Sequence, residues 1–307
     1  MKALSQVENR DDFTLDLLSW LRKDGVFGGR HGAPDELLLH SGGPQSDLSK
    51  RSLLMGPATC RYIVRQPPLE SYSVMGSPLC GEIDIQSNPS PMQIHVEDWN
   101  DGWVFREIVY GTNLADGLRQ LSSHLPPAEG NGFQAGGLAG LLTYDMVQHT
   151  EPLRFQHPPD ENSILMILYR ADRWIIHDRT ESTIEVLSSI EDDDWVSEIE
   201  HILDEGVPSR NSPVPPRARD PSTETDAVHA QKVRRTQDAI REGVLYQLNY
   251  GRTWSAEIDS PWDVFKRLER DNPAPLSAWL HSPDLDIAIA SSSPELLLKQ
   301  KGKIIST

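Results

Sequence analysis

Between Ser163 and Leu187 three apolar runs follow one another, Ile164-Leu165-Met166-Ile167-Leu168, Trp174-Ile175-Ile176 and Ile184-Glu185-Val186-Leu187, each cut off by polar residues. Runs this short and this rich in branched side chains suit strands better than helices, so the stretch reads as a three-stranded meander. The same grammar recurs upstream. Glu36-Leu37-Leu38-Leu39-His40-Ser41 reads as a buried strand closed by the turn Gly42-Gly43-Pro44. Ser52 to Pro57 and Tyr62-Ile63-Val64 look like the next strand pair. Ile83, Ile85, Ile94, Val96, Trp103, Phe105 and Ile108 then alternate loosely, as an antiparallel sheet requires.

Helices punctuate this pattern. Leu17, Trp20 and Leu21 stand at i, i+3, i+4 behind acidic residues, and Leu114, Leu118 and Leu121 form a second stripe. Trp195 to Leu203 lies between Glu191-Asp192-Asp193-Asp194 and Asp204-Glu205, which suggests a solvated helix rather than a metal site. Gly206 to Pro221 has prolines at 208, 213, 215, 216 and 221 and no apolar period, the composition of an extended linker. It divides an N-terminal region, 1–205, from a C-terminal one, 222–307. Thr223 and Asp226 form a capping pattern that opens a helix from about Asp226 to Glu242, with Ala230, Val233 and Ile240 on one face and Gly243 at its stop. Tyr246 to Tyr250 reads as a strand. Ser260-Pro261-Trp262-Asp263 caps a helix ending before Asn272-Pro273, and Leu276–His281, Leu285–Ser291, Leu296–Gln300 and Lys303–Ser306 read as strands, the last two joined at Lys301-Gly302.

The chain has 307 residues and 37% hydrophobic content, enough for one large or two ordinary domains. Its 29 Lys and Arg against 46 Asp and Glu leave a net charge of −17. Such a field opposes nucleic-acid phosphate and anionic lipid, so neither is an expected partner, and a small anionic substrate would need a local cationic pocket or a metal ion. With only Cys60 and Cys80, no disulfide framework is expected. The N-terminus lacks the apolar core of a signal peptide and no run approaches a membrane span, which implies a cytoplasmic protein.

Gly136-Gly137-Leu138-Ala139-Gly140 is dense in glycine, but it lacks the Lys-Ser/Thr ending of a phosphate loop and the spacing of a dinucleotide fingerprint, so close packing is the expected role. Gln247 and Asn249 at i, i+2 would share one face of a strand, and Glu295 follows Ser291-Ser292-Ser293-Pro294. Convergent groups of this kind either line a pocket for a small polar ligand or satisfy one another inside a core.

Taken together, Gly243-Val244-Leu245-Tyr246-Gln247-Leu248-Asn249, Asn272-Pro273-Ala274-Pro275 and Ser293-Pro294-Glu295, with Gly136 to Gly140 before Tyr144-Asp145 and with Leu38-Leu39-His40-Ser41, resemble the chorismate-utilising enzymes. That family includes component I of anthranilate synthase and of aminodeoxychorismate synthase, and the resemblance spans nearly the whole chain. It implies an α+β fold of antiparallel β-sheets packed face to face with outer helices, here lacking its C-terminal half, with 222–307 the start of the chorismate-binding domain. Tyr246-Gln247-x-Asn249 and Pro275-Leu276-Ser277-Ala278 lean toward the aminodeoxychorismate branch, which aminates chorismate to 4-amino-4-deoxychorismate on the way to para-aminobenzoate and folate. The anthranilate branch, which serves tryptophan synthesis, is the alternative.

By the same resemblance Gln247, Asn249 and Glu295 support the substrate pocket, and Ser41, Pro275, Leu276 and Ser277 correspond to a tryptophan pocket. Leu276 and Ser277 depart from the usual Tyr-Met there, so core and turn residues with no ligand are an equal reading. Val244 departs from the usual Asp. The family's catalytic residues, and the glutamates that hold its Mg²⁺, correspond to positions after Thr307, so no catalytic residue is assigned. The expected partners are chorismate, a glutamine amidotransferase subunit supplying ammonia, and tryptophan. The other reading is a non-catalytic, truncated fragment that binds tryptophan or docks a partner; strands unpaired at Ser306-Thr307 would then favour self-association.

Overall fold

The computed structural model describes residues 2–6, 12–23, 25–27, 31–67, 91–125, 135–151, 155, 158–209 and 219–307. Cys80, Ile83, Ile85, Asn131 to Gln134 and the middle of the proline-rich linker lie outside the described residues.

Seven strands form one antiparallel sheet. In spatial order they are β1 (Lys2–Gln6), β10 (Thr183–Ser188), β9 (Arg173–Asp178), β3 (Arg51–Met55), β2 (Glu36–His40), β13 (Ser277–Ser282) and β14 (Ile287–Ser291). Five strands form a second: β6 (Trp103–Gly111), β5 (Met92–Trp99), β4 (Cys60–Arg65), β8 (Ile164–Ala171) and β7 (Gly137–Leu142). The two sheets pack face to face. Leu37, Met55, Trp174, Ile176 and Leu280 from the first meet Ile63, Ile167 and Tyr169 from the second in one buried cluster.

Period-two alternation gives each sheet a second apolar face. Leu38, Leu54, Ile175 and Trp279 pack under α1 (Phe13–Lys23), α3 (Asp194–Glu205) and α5 (Pro261–Asp271). Tyr62, Val64, Ile94, Val96 and Met166 face α2 (Leu114–Ser122) and the short helical turn Tyr144–His149. The α+β arrangement of face-to-face antiparallel sheets with outer helices is therefore as expected.

Strand partners depart from the sequence reading in two places. β3 and β4 do not pair, because the chain crosses between sheets at Gly56-Pro57, and it crosses back at Asp172 between β8 and β9, so the expected meander holds only for β9 and β10. The two crossings lie side by side. Gly56 N–H donates to Arg173 C=O at 3.0 Å, and a Cβ on Gly56 would lie 2.7 Å from both Arg173 Cβ and the Trp195 ring. Strands buried on both faces show no periodicity that tells which sheet they join.

The helices begin close to where the sequence places them. Asn113 and Ser260 cap α2 and α5 through side-chain oxygens that accept from Asp116 and Asp263 N–H. The cap of α4 (Asp226–Arg241) is Thr225, not Thr223; Thr223 ends strand β11 (Arg219–Thr223), which begins inside the expected linker and pairs with β12 (Trp254–Glu257). No described residue of α4 is buried. α3 is less solvated than its acidic flanks suggest, since Trp195, Val196, Ile199 and Ile202 are buried. Tyr246 to Tyr250 is not a strand: its residues are exposed and no neighbouring strand offers them a ladder. β15 (Lys299–Lys301) and β16 (Ile304–Ser306) pair only with each other. Among the described residues no helix is long and apolar enough to cross a membrane. Cys60 is a buried free thiol.

The glycine-rich stretch packs, as expected. Gly140 has φ of +157°, and a Cβ there would lie 2.1 Å from Ile167 O on the neighbouring strand. Gly140→Ala is expected to lower stability by roughly 1–3 kcal/mol in urea unfolding, whereas Gly137→Ala, with nothing within 4 Å, should change it by less than about 0.5 kcal/mol.

Candidate functional site

Pairing of β13 with β2 brings the two ends of the chain together, with Ser277 opposite His40 and Trp279 opposite Leu38. The flanking turns are tied in the same way: Gly42 N–H donates to Ala274 C=O at 2.9 Å and Leu276 N–H to Ser293 C=O at 3.1 Å. Between these segments lies a cavity of about 340 Å³. Its apolar walls include Leu39, Leu53, Pro275 and Leu276, its edge carries Ser41 and Ser277, and Arg51 and Lys299 stand at its mouth. Ser41, Pro275, Leu276 and Ser277, four residues singled out from sequence, thus line one cavity.

The polar atoms at the edge are largely engaged. Ser41 Oγ donates to Arg51 C=O at 2.6 Å and Ser277 Oγ to Ala274 C=O at 3.2 Å. Arg179, buried at 2% exposure, reaches back from the end of β9 and donates to the carbonyls of Ser41, Gly43 and Ser49 at 2.8, 3.0 and 3.1 Å. That guanidinium fixes the Ser41–Ser49 turn against the sheet.

Behind the cavity a buried polar row crosses four strands. His177 stands opposite Ser52, Ser52 Oγ lies 3.5 Å from His40 Nδ1, and His40 stands opposite Ser277. Above the row, Thr14 Oγ1 of α1 is 3.0 Å from His40 Nδ1, and Glu269 Oε2 of α5 is 3.6 Å from His40 Nε2. Neither Glu269 oxygen meets hydrogen-bond geometry with a described residue. Burial raises this carboxyl from the ordinary 4.5 to about 7, with the Ser277 hydroxyl opposing the rise. Glu269 escaped the sequence reading because α5 looked amphipathic and charged; its place four residues after Phe265, on the buried face, was the available signal.

Gln247, Asn249 and Glu295 are not part of this cavity. Gln247 Nε2 donates to Asn249 Oδ1 at 3.3 Å, both side chains are exposed, and the exposed Glu295 carboxylate joins neither. Among the described residues one cluster has three side chains placed to hold a metal, His31 with Asp193 and Asp194. It does not suit Mg²⁺. Asp193 already accepts from Arg173 at 2.7 and 3.0 Å and from Ser188 at 2.5 Å, and a histidine is a poor ligand for so hard an ion. It also sits at the start of α3, which packs on β1 and β10 at the far edge of the seven-stranded sheet from β13. That cluster therefore does not fit Mg²⁺.

The sequence profile of the chorismate binding enzymes matches residues 95–307. The chain belongs to that family. It is 26% identical over 186 residues to aminodeoxychorismate synthase component 1 of Bacillus subtilis (strain 168), covering 56% of this chain and 38% of that protein. Over 191 residues it is 31% identical to an anthranilate synthase component 1 of Haloarcula marismortui, again covering 56% of this chain and 38% of the relative. In structure it is similar to anthranilate synthase component I from Streptococcus pneumoniae TIGR4, with a TM-score of 0.54 at 17% identity over 94% of this chain and 57% of that one. The chain thus spans about four tenths of the length of these two curated relatives, and the structural likeness establishes the fold alone.

The buried Glu269 makes stability pH-dependent. The folded protein holds this proton up to about pH 7 and the unfolded chain releases it near 4.5, so stability falls as pH rises through that window, by on the order of 3 kcal/mol. Glu269→Gln is expected to flatten the melting temperature between pH 5 and 8 and to exceed the parent at pH 8. A variant less stable than the parent at pH 8 would mean that the carboxylate is charged and held by a protonated His40.

Proposed function

We propose that this chain belongs to component I of an aminodeoxychorismate synthase, which replaces the 4-hydroxyl of chorismate by an amino group from ammonia and releases water. A glutamine amidotransferase subunit is the proposed ammonia source. The observation that carries the reading is the family match over residues 95–307, together with the form of the motifs within it, Tyr246-Gln247-Leu248-Asn249 and Pro275-Leu276-Ser277-Ala278. The names of the Bacillus relative and of a Salmonella typhimurium relative 28% identical over 191 residues support the same branch. Anthranilate synthase is the second reading, favoured by the name of the Haloarcula relative.

Gln247, Asn249 and Glu295 are assigned to one wall of the chorismate site. All three are exposed, as are Tyr246, Leu297 and Ile304 at 95%, 89% and 73%. No described residue is assigned to the magnesium ion that the family resemblance implies, and no step is routed through it.

A polypeptide comprising these residues, given chorismate, Mg²⁺ and ammonium, is expected to form 4-amino-4-deoxychorismate, detected as 4-aminobenzoate after addition of a lyase. Release of anthranilate and pyruvate instead would assign the anthranilate branch. The 307 residues alone are expected to give no product; turnover by them would place the chemistry on side chains present here.

A further inference from the structure

A second cavity, of about 320 Å³, opens in the five-stranded sheet where β4 ends and β5 begins, and it shares no lining residue with the cavity beside β2 and β13. Its polar lining is Arg65 of β4, Gln93 and His95 of β5, His149 at the end of the helical turn, and Gln66 and Asn162 of the adjoining loops. That is one guanidinium, two imidazoles, three carboxamides and no carboxylate, in a chain with 46 Asp and Glu against 29 Lys and Arg. The acids nearest in sequence are placed elsewhere. Asp160 and Glu161 are exposed and outside the lining, and Glu97, two residues along β5 from His95, accepts from Arg61 at 2.7 Å. Among the described residues the Arg65 guanidinium has no hydrogen bond or ion pair.

The strands place these groups together. Ile63 stands opposite His95, so Ile63, Arg65, Gln93 and His95 share one face of the sheet by period-two alternation. β8 carries one extra residue opposite the end of β4, with Val64 facing Met166 and Arg65 facing Ile164. Such a bulge bends the sheet locally and re-aims the side chain beside it. Beyond it Gln66 N–H donates to Ser163 C=O at 2.8 Å and Asn162 N–H to Gln66 C=O at 3.0 Å, with Asn162 in the left-handed region at φ +66°. Gln148 Nε2 donates to Gln66 Oε1 at 3.1 Å, which ties the helical turn carrying His149 to the end of β4. Gln66 and His149 are both buried, at 2% exposure.

This lining selects an anion. A cation would meet Arg65 with no carboxylate to offset it, and an apolar ligand would strip water from six polar side chains in exchange for contact with Val64, Pro67 and Pro91. Donors supplied by three separate segments, β4, β5 and the helical turn, suit the tetrahedral oxygens of a phosphate better than the planar pair of a carboxylate, and a guanidinium can hold two of those oxygens at once. Carboxamides both donate and accept, so Gln66, Gln93 and Asn162 suit a body rich in hydroxyls. The volume is at the small end of ligand pockets.

We propose that this cavity binds a phosphate monoester of a small hydroxylated molecule, of the size of a pentose phosphate, with the phosphate on Arg65, His95 and His149 and the hydroxyls on Gln66, Gln93 and Asn162. This goes beyond the chorismate chemistry and does not depend on it, because it is read by binding in the absence of chorismate.

Calorimetry of the 307-residue chain with ribose 5-phosphate, D-ribonate, D-ribose and inorganic phosphate separates the charge, the shape of the anion and the hydroxylated body. Ribose 5-phosphate is expected to bind about tenfold more tightly than D-ribonate or inorganic phosphate, and D-ribose to give no signal. Arg65→Ala and His95→Gln are each expected to weaken ribose 5-phosphate about tenfold at an unchanged melting temperature, and Arg119→Ala, at an exposed position on α2, to leave it unaltered. Should Arg65→Ala fail to fold, His95→Gln decides. Silence from ribose 5-phosphate at millimolar concentration would overturn the proposal, as would D-ribonate or inorganic phosphate binding as tightly, full affinity in His95→Gln, or an equal loss in Arg119→Ala.

Discussion

The β2–β13 ladder is the contact on which the rest of the molecule depends. It joins Glu36–His40 to Ser277–Ser282 across most of the chain's length, and the cavity exists only because of it, since Leu39 and Leu53 come from one side of the ladder and Pro275 and Leu276 from the other. Closing so long a loop costs little more entropy than closing one half as long, about 0.6 kcal/mol per doubling, so such a pairing is thermodynamically accessible. Side chains reinforce it. Trp279 Nε1 donates to Glu36 Oε2 at 2.7 Å, Glu36 pairs with Arg22 of α1, and the Arg22 guanidinium lies 4.1 Å from the Trp262 ring of α5. Helices from both ends of the sequence are thereby clamped onto the same two strands.

A second set of contacts pins the sheets to each other. Arg61 on β4 is 2% exposed and donates to Glu97 at 2.7 Å and to Asp284 at 2.8 and 2.6 Å, while its guanidinium carbon lies 4.3 Å from the Trp103 ring. Fully buried Asp35 accepts from Tyr169 at 2.7 Å and from Trp103 Nε1 at 2.9 Å, and lies 3.5 Å from Arg61. Charges this deep are tolerated because nearly every lone pair and proton is matched; removing one partner would strand the others in a low dielectric. The network draws on strands of both sheets and on the turn after β13, so it fixes where the C-terminal strands sit over the five-stranded layer.

Much of this was legible locally. Short apolar runs bounded by glycine and proline marked strands, the Leu114, Leu118 and Leu121 stripe marked a helix, and Ser260 marked a helix start, because a cap or a period is written within a few residues. Which strand joins which sheet was not legible: β3 with β4 and β8 with β9 looked contiguous yet belong to different sheets, since both faces of these strands are buried and alternation carries no label. Tyr246 to Tyr250 had a strand's composition but no partner to ladder with. Thr223 had a cap's spacing but was claimed by pairing with Trp254.

For the site the division is the same. The sequence by itself determined the family motifs, the apolar strands that wall the cavity, and a net charge that makes any anion depend on a local cationic patch. Only the tertiary structure decided that Ser41 and Pro275-Leu276-Ser277 share a cavity while Gln247, Asn249 and Glu295 stay outside it. It alone placed Arg179 and His40 at that cavity and Glu269 behind His40, because a contact between residues more than a hundred positions apart leaves no local pattern to read.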